Sequence, residues 1–241
     1  MSTPRQFHFQ TIGVIRSVFK EKFGIPRQSG LIGQAEATLE ILPPYNRPEA
    51  FRGLEVFSHV WVQFVFHANR SGDWSPTVRP PRLGGNQRVG VFATRSGFRP
   101  NPLGLSVVKL AGIEVKGRDI RLKLKGVDLM DGTPVVDIKP YLPYADAISE
   151  AHGGFANQAP EQKLKIEFTS NAACQLAQRE AKGDTLLREL IDGVLSQDPR
   201  PAYQRETSGD RVYACQLADV DLRWRMEGGA AIVLSLERKE E

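Results

Sequence analysis

The stretch Asp119-Ile120-Arg121-Leu122-Lys123-Leu124-Lys125 alternates aliphatic and charged side chains without a break. Neighbouring side chains on a strand point to opposite faces, so this period of two predicts a half-exposed strand: Ile120, Leu122 and Leu124 face a core, and Arg121, Lys123 and Lys125 face water. Upstream, Val60-Trp61-Val62-Gln63-Phe64-Val65-Phe66 is apolar on both faces, the pattern of a central strand. The same reading gives strands over residues 11–18, 35–41, 88–94, 105–115 and 133–138. Seven short strands joined by Gly-, Pro- and Asn-rich loops, with only a brief helix near 47–52, predict an antiparallel β-barrel. A parallel nucleotide-binding sheet would need helices between its strands, and the sequence signals none there.

The turn-rich segment 141–160, with PYLPYADA, HGGFANQ and AP in and beside it, separates a barrel domain at 1–148 from a second domain at 161–241. In the second domain Leu164, Ile166 and Phe168 mark a strand, and a helical stretch follows that Gly183 interrupts. Asp184 is placed to cap a helix whose Leu187, Leu190, Ile191 and Val194 share one face; Pro199 and Pro201 end it near Gln197. Three strands, at 212–217, 222–226 and 232–236, complete a small sheet, its last hairpin turned by Gly228-Gly229. The fold expected is mainly β: an antiparallel barrel with a smaller α+β domain behind it.

With 41% hydrophobic and 25% charged residues in a chain of 241, the composition is that of a folded globular protein. No apolar run approaches the roughly 18–20 residues of a membrane span, and MSTPRQFHFQ lacks an export signal's arrangement. Cys174 and Cys215 have neither CxxC spacing nor a nearby histidine pair, so neither a disulfide scaffold nor a zinc site is expected. These features predict a cytoplasmic protein, off the membrane and without a metal. Charge divides unevenly: residues 1–145 carry 20 Lys and Arg against 11 Asp and Glu, residues 146–241 carry 12 against 17. Arg70, Arg79, Arg82, Arg88, Arg95 and Arg99 are opposed locally by Asp73 alone. Guanidinium groups bind oxyanions bidentately, so this run suits phosphate or another anion as well as it suits plain solvent.

GxGxxG after a strand, GxxxxGK[ST], HExxH and GxSxG are all absent, which disfavours the common cofactor folds. Four polar, turn-rich segments remain between the apolar strands. Lys22-Phe23-Gly24-Ile25-Pro26-Arg27-Gln28-Ser29-Gly30 is shaped by Gly and Pro and offers donors from Arg27 and Gln28. Phe64-Val65-Phe66-His67 ends an apolar strand on an ionisable ring, structural or functional. Phe92 to Gly104, with Arg95, Arg99, Pro100, Asn101 and Pro102, describes a stiff polar loop at a barrel mouth, where ligand contacts collect. Val127 to Pro134 holds Asp128 and Asp131, which either make a turn or hold an amine, a ribose or a sulfonium-bearing ligand.

Taken together and in order, IGVIRS, PRQSGL, RGLEVFSHVWVQFVFH, TVRPPRLGG, GVFATRSGFRPNPLGLS, DLMDGTPVVDIKPYLPYAD and DPRPAY closely resemble the TsaA-like family of the TrmO type over nearly the whole chain. The resemblance implies an S-adenosylmethionine-dependent methyltransferase on an antiparallel barrel, active as a homodimer, that methylates N6 of threonylcarbamoyl-adenosine at position 37 of threonine tRNA. It also implies that Pro26, Arg27 and Gln28, then His67 and Ala68, then Arg95 and Leu105, then Asp128, Leu129, Met130 and Asp131 contact the cofactor. Arg99 or Arg200 is the expected partner of the substrate carboxylate, with Asn101 beside it. Tyr203 is expected either to stack on an unpaired base or to anchor the second domain. The base that takes the N6 proton is unassigned; His67, Asn101 and Arg200 are the candidates for catalytic roles. Two other readings share these residues: an RNA- or nucleotide-binding barrel without chemistry, and a methyltransferase with another acceptor.

Overall fold

The structure is a computed structural model that describes residues 6–69, 74–160, 164–201, 204 and 211–238. Alternation of buried and exposed side chains builds β1 (Gly13–Ser17), β2 (Glu36–Ile41), β3 (His59–Val65), β6 (Leu103–Lys116), β7 (Asp119–Lys125) and β8 (Pro134–Pro140). Every pairing among them is antiparallel, and the order β1-β2-β7-β6-β3-β8 closes on itself because β8 also pairs with β1. Closure removes both sheet edges. Register shifts at Gln63/Phe64 and at Leu110/Gly112 bend β3 and β6, as a small barrel requires.

β3 lies between β6 and β8, as its two-sided apolar sequence predicts. Val60, Val62 and Phe64 are buried, together with Leu39, Ile120, Leu122, Leu124 and Val135. Trp61 keeps its indole at the surface, where it donates to Asp146 Oδ2 at 2.9 Å and packs beside Tyr141. That bond holds the short helix α1 (Pro143–Asp146) at the barrel wall.

The barrel has six strands rather than the seven read from the sequence. Residues 88–94 form only β5 (Val89–Gly90), paired with β4 (Thr77–Val78) in a separate ribbon, and then a 3-10 turn over Val91–Ala93. The reason is visible side by side: Val91 is buried, whereas Phe92 next to it is 75% exposed, so the apparent alternation covers a turn pinned by one apolar plug.

The second domain sets β10 (Val212–Leu217), β11 (Val220–Glu227), β12 (Ala230–Arg238) and the parallel strand β9 (Lys165–Phe168) in one sheet, with α2 (Ser170–Glu180) and α3 (Leu186–Ser196). Asp184 does not cap α3. Thr185 occupies the N-cap without a side-chain bond, and the Asp184 carboxylate accepts instead from Arg179, at 2.8 Å, because Gly183 (φ +95°) turns the chain back toward α2.

The two domains share one apolar core. Phe19, just after β1, bridges to Leu217 of β10, and Ala218 N donates to Val18 O at 2.7 Å. Phe23 stacks on Trp224 with ring centroids 5.7 Å apart, and Trp224 in turn stacks on Tyr213. The second domain therefore underlies the segment that follows β1.

Candidate active site

One mouth of the barrel opens into a cavity of about 560 Å³. Its wall comes from the ends of β3 and β6 and from the loops after β1, after β3, before β6 and after β7. Pro26, Arg27, Gln28, His67, Ala68, Arg95, Leu105, Asp128, Leu129 and Met130 all line it, as does Arg99. Residues scattered over a hundred positions of sequence thus meet because barrel closure brings these strand ends together.

Backbone bonds fix the loops to one another. Gly30 N donates to Gly126 O at 2.8 Å and Val127 N to Ala35 O at 3.2 Å, joining the first loop to the last. Two glycines do close-approach work. Gly97 leaves room for Phe66, whose Cγ would stand 2.7 Å from a Cβ there, and Gly104 faces Phe64 so tightly that any Cβ would enter the ring's own space. Phe64 and Phe66 themselves meet edge to face at 5.1 Å.

The two aspartates of the last loop have separate roles. Asp131 is not part of the cavity wall. Its carboxylate accepts Ser17 N–H at 2.8 Å and pairs with Lys20 at 3.3 Å, and its amide donates to Phe19 O, so it stitches the loop to β1. Asp128 faces the cavity, and among the described residues its buried Oδ1 has no hydrogen-bond partner. Burial pushes the Asp128 carboxyl above the usual carboxylate range; the Ser106 hydroxyl, its own amide and that of Ser29, and the charge of Arg95 act in the opposite direction. A buried carboxylate oxygen left unspent costs free energy unless a donor meets it. An ammonium or a ribose hydroxyl is the donor this position fits.

Arg95 donates through Nη1 to Gln28 Oε1 at 2.6 Å, while Gln28 Nε2 donates to the Arg27 carbonyl. This pair fixes the amide's orientation and ties the first loop to the third. Arg99 donates to the carbonyls of Thr94 and Ser96, each at 3.1 Å, which holds its guanidinium at the mouth. The Lys22 ammonium, also in the wall, bonds Asn69 Oδ1 at 3.2 Å. Among the described residues no three His, Cys, Asp or Glu side chains gather as a metal would need.

Other expected site residues lie elsewhere. Asn101 is exposed just before β6, where its carbonyl accepts Leu103 N–H, and it is not in the wall. Arg200 is 5% exposed and forms a two-pronged pair with Asp198, at 2.7 and 2.9 Å, near Tyr213. Tyr203 lies outside the described residues. The sequence does not mark Lys22, Ser29 or Ser106 individually. Ser106 has a readable signal: β6 turns Gly104 and Ser106 inward, small or polar where the next inward positions, Val108 and Leu110, are aliphatic.

Residues 14–147 match the family model described as the tRNA-methyltransferase O N-terminal domain, and residues 161–239 match the TrmO C-terminal domain. The chain belongs to the TrmO family. It is 49% identical over 231 residues to the Escherichia coli protein named tRNA (adenine(37)-N6)-methyltransferase, covering 96% of this chain and 98% of that one. A human protein of the same name is 34% identical over 199 residues, 82% of this chain and 43% of its own length. A Pseudomonas aeruginosa relative named after S-adenosylmethionine-dependent methyl transfer is 50% identical over 213 residues, 88% of this chain and 90% of the other. A crystal structure of TrmO from Pseudomonas aeruginosa superimposes with a TM-score of 0.79 at 40% identity, over 97% of this chain and 99% of that one. The TrmO barrel and its C-terminal domain are therefore both present, and among the described residues no helix is long and apolar enough to cross a membrane.

Proposed function

We propose that the cavity binds S-adenosylmethionine and that the protein methylates N6 of adenosine 37 in tRNA, the acceptor being threonylcarbamoyl-adenosine in threonine tRNA. The observation that carries the reading is the facing pair of Asp128, with its unspent Oδ1, and Arg95 in one wall. An amino-acid end bears one ammonium and one carboxylate, and these two side chains complement it in sign. Aligned at near 50% identity with a tRNA (adenine(37)-N6)-methyltransferase along almost its whole length, the chain has the same overall build as that enzyme.

When bound, S-adenosylmethionine supplies a methyl group on a sulfonium, open to in-line attack. The residues' task is then positional: Asp128 and Arg95 anchor the amino-acid end, Gln28 holds Arg95, and Phe64 and Phe66 keep the pocket floor rigid and dry. As the N6–methyl bond forms, the N6 proton must leave; His67 in the wall is the side chain we assign to stand near it. Arg79, Arg82 and Arg88, in the connection between β4 and β5, are assigned to the anticodon-loop phosphates, as is Arg70, which lies outside the described residues; such contacts make binding weaken as salt rises. Exposed Phe98, Leu103 and Leu105 flank the cavity, Leu105 at 51% exposure, and an apolar rim of that kind suits a second copy of the chain.

The test is transfer of labelled methyl from S-adenosylmethionine to threonine tRNA with and without threonylcarbamoyl at position 37. Label only on the modified tRNA is expected. Cofactor binding without label on either RNA would assign another acceptor, and absence of cofactor binding would leave a non-enzymatic barrel.

A further inference from the structure

Arg27 apart, the charged side chains of the cavity wall fall into two groups. One holds Asp128 and Arg95, with the Gln28 amide bonded to Arg95, and is balanced in sign and suited to a zwitterion. The other holds Lys22 and Arg99 with Asn69 and Gly97, and among the described residues it contains no carboxylate. Lys22 is the more telling of the two cations. Arg99 spends donors on two carbonyls of its own loop, whereas the Lys22 ammonium, with three donors, spends one on the neutral Asn69 amide. Three cations on the barrel strands are neutralised where they stand: Arg16 by Glu40 at 2.9 Å, Lys123 by Glu114 at 3.5 Å and Lys125 by Glu36 at 2.7 Å.

Asn69 is itself wedged. Its Nδ2 would lie 2.5 Å from a Cβ on Gly97, so the amide that aims Lys22 is seated against the loop carrying Arg99. The pair thereby couples the loops after β1, after β3 and before β6 around one concentration of unbalanced positive charge. Such a site calls for an anion supplied by a ligand.

We propose that Lys22, aimed by Asn69, is the group that binds the carboxylate of the threonyl substituent on the acceptor base and so selects the modified adenosine over the plain one. The inference rests on the reading of the cavity given above. It assigns the cofactor's own carboxylate to Arg95, beside Asp128, and leaves the substrate carboxylate to Lys22. Lys22 is exposed, so replacing it leaves the core intact.

The experiment compares the intact chain with Lys22→Met and Lys22→Arg on two anticodon stem-loop RNAs. One carries threonylcarbamoyl-adenosine; the other carries it with the threonyl carboxylate blocked as an amide. Affinity for S-adenosylhomocysteine is measured alongside by calorimetry. Lys22→Met is expected to raise KM for the acid RNA by about ten- to a hundredfold, the range for losing a charged hydrogen bond, while KM for the amide RNA moves by less than about twofold. S-adenosylhomocysteine affinity should hold, and Lys22→Arg should recover most of the loss. Equal losses on the two RNAs would overturn the proposal in favour of a phosphate contact. Weaker S-adenosylhomocysteine binding with unchanged KM would overturn it by moving Lys22 to the cofactor. Failure of the unaltered protein to methylate the acid RNA would remove the acceptor itself, a result that none of the variant comparisons can mimic.

Discussion

Gly193, in the middle of α3, sits against Ile32 so closely that a Cβ on it would stand 2.8 Å from Ile32 Cγ2. Ile32 is buried and follows directly on the loop that carries Pro26, Arg27 and Gln28. Gln197, at the end of the same helix, donates to Leu31 O at 3.4 Å. The second domain is thus a support for the first wall of the cavity. Gly193→Ala should lower stability by about 1–3 kcal/mol through overpacking, and it should also weaken S-adenosylhomocysteine binding, because the displaced Ile32 carries the loop with it. A lowered melting temperature with unchanged affinity would separate α3 from the loop's positioning.

Asp128 ties stability to ligand binding with opposite signs. Burial raises its folded-state carboxyl above the ordinary value, so the folded ligand-free protein holds this proton more tightly than the unfolded chain does. The resulting penalty is absent at low pH, grows as pH rises through the ordinary aspartate value, and is complete above the raised one. Asp128→Asn should therefore stabilise the ligand-free protein near neutral pH, with no gain in strong acid. The same change should weaken S-adenosylhomocysteine binding by about ten- to a hundredfold, since a charge-assisted contact to the amine is lost. In the unaltered protein, affinity should fall as pH drops through the raised Asp128 value. Denaturant titrations of both proteins across pH, paired with calorimetry, check each sign.

The barrel was legible because period-two alternation is a local property, and β7 and β3 carry it without interruption. Residues 88–94 carry it too, yet make a turn, since the spacing of Val89 and Val91 does not say whether Phe92 has a neighbour to pack on. In the site, motif order found the loops but could not divide labour within them. Nothing in Asp128-Leu129-Met130-Asp131 says which carboxylate Ser17 and Lys20 will take, because those partners lie more than a hundred residues away. Lys22 was hidden for the same reason: its meaning comes from Asn69 and Gly97 across the cavity rather than from its own segment.

Gly104 and Phe64 are direct partners across β6 and β3, and the ring lies flat over the glycine where a Cβ would have to be. Phe64 also lines the cavity and meets Phe66, so the close approach shapes the pocket floor. Gly104→Ala should cost about 1–3 kcal/mol. Adding Phe64→Leu should return part of that cost, the signature of a shared contact in a double-mutant cycle. Additive losses would place the strain in the strand backbone instead.

Arg200 is the expected substrate contact that the fold puts to other use. Its guanidinium is buried in a pair with Asp198, itself 13% exposed and held at φ +49°, and it reaches Gln204 O on the far side. Removing one member of a buried pair costs about 3–5 kcal/mol, because the other charge stays where water cannot solvate it. Arg200→Ala should accordingly lower the melting temperature sharply, and methyl transfer should fall only in proportion to the folded fraction. Arg200→Met combined with Asp198→Asn removes both charges and should recover much of the stability. If Arg200→Ala instead melts like the unaltered protein while turnover on tRNA drops and cofactor affinity holds, Arg200 leaves Asp198 to meet substrate, and the pair seen here is its resting position.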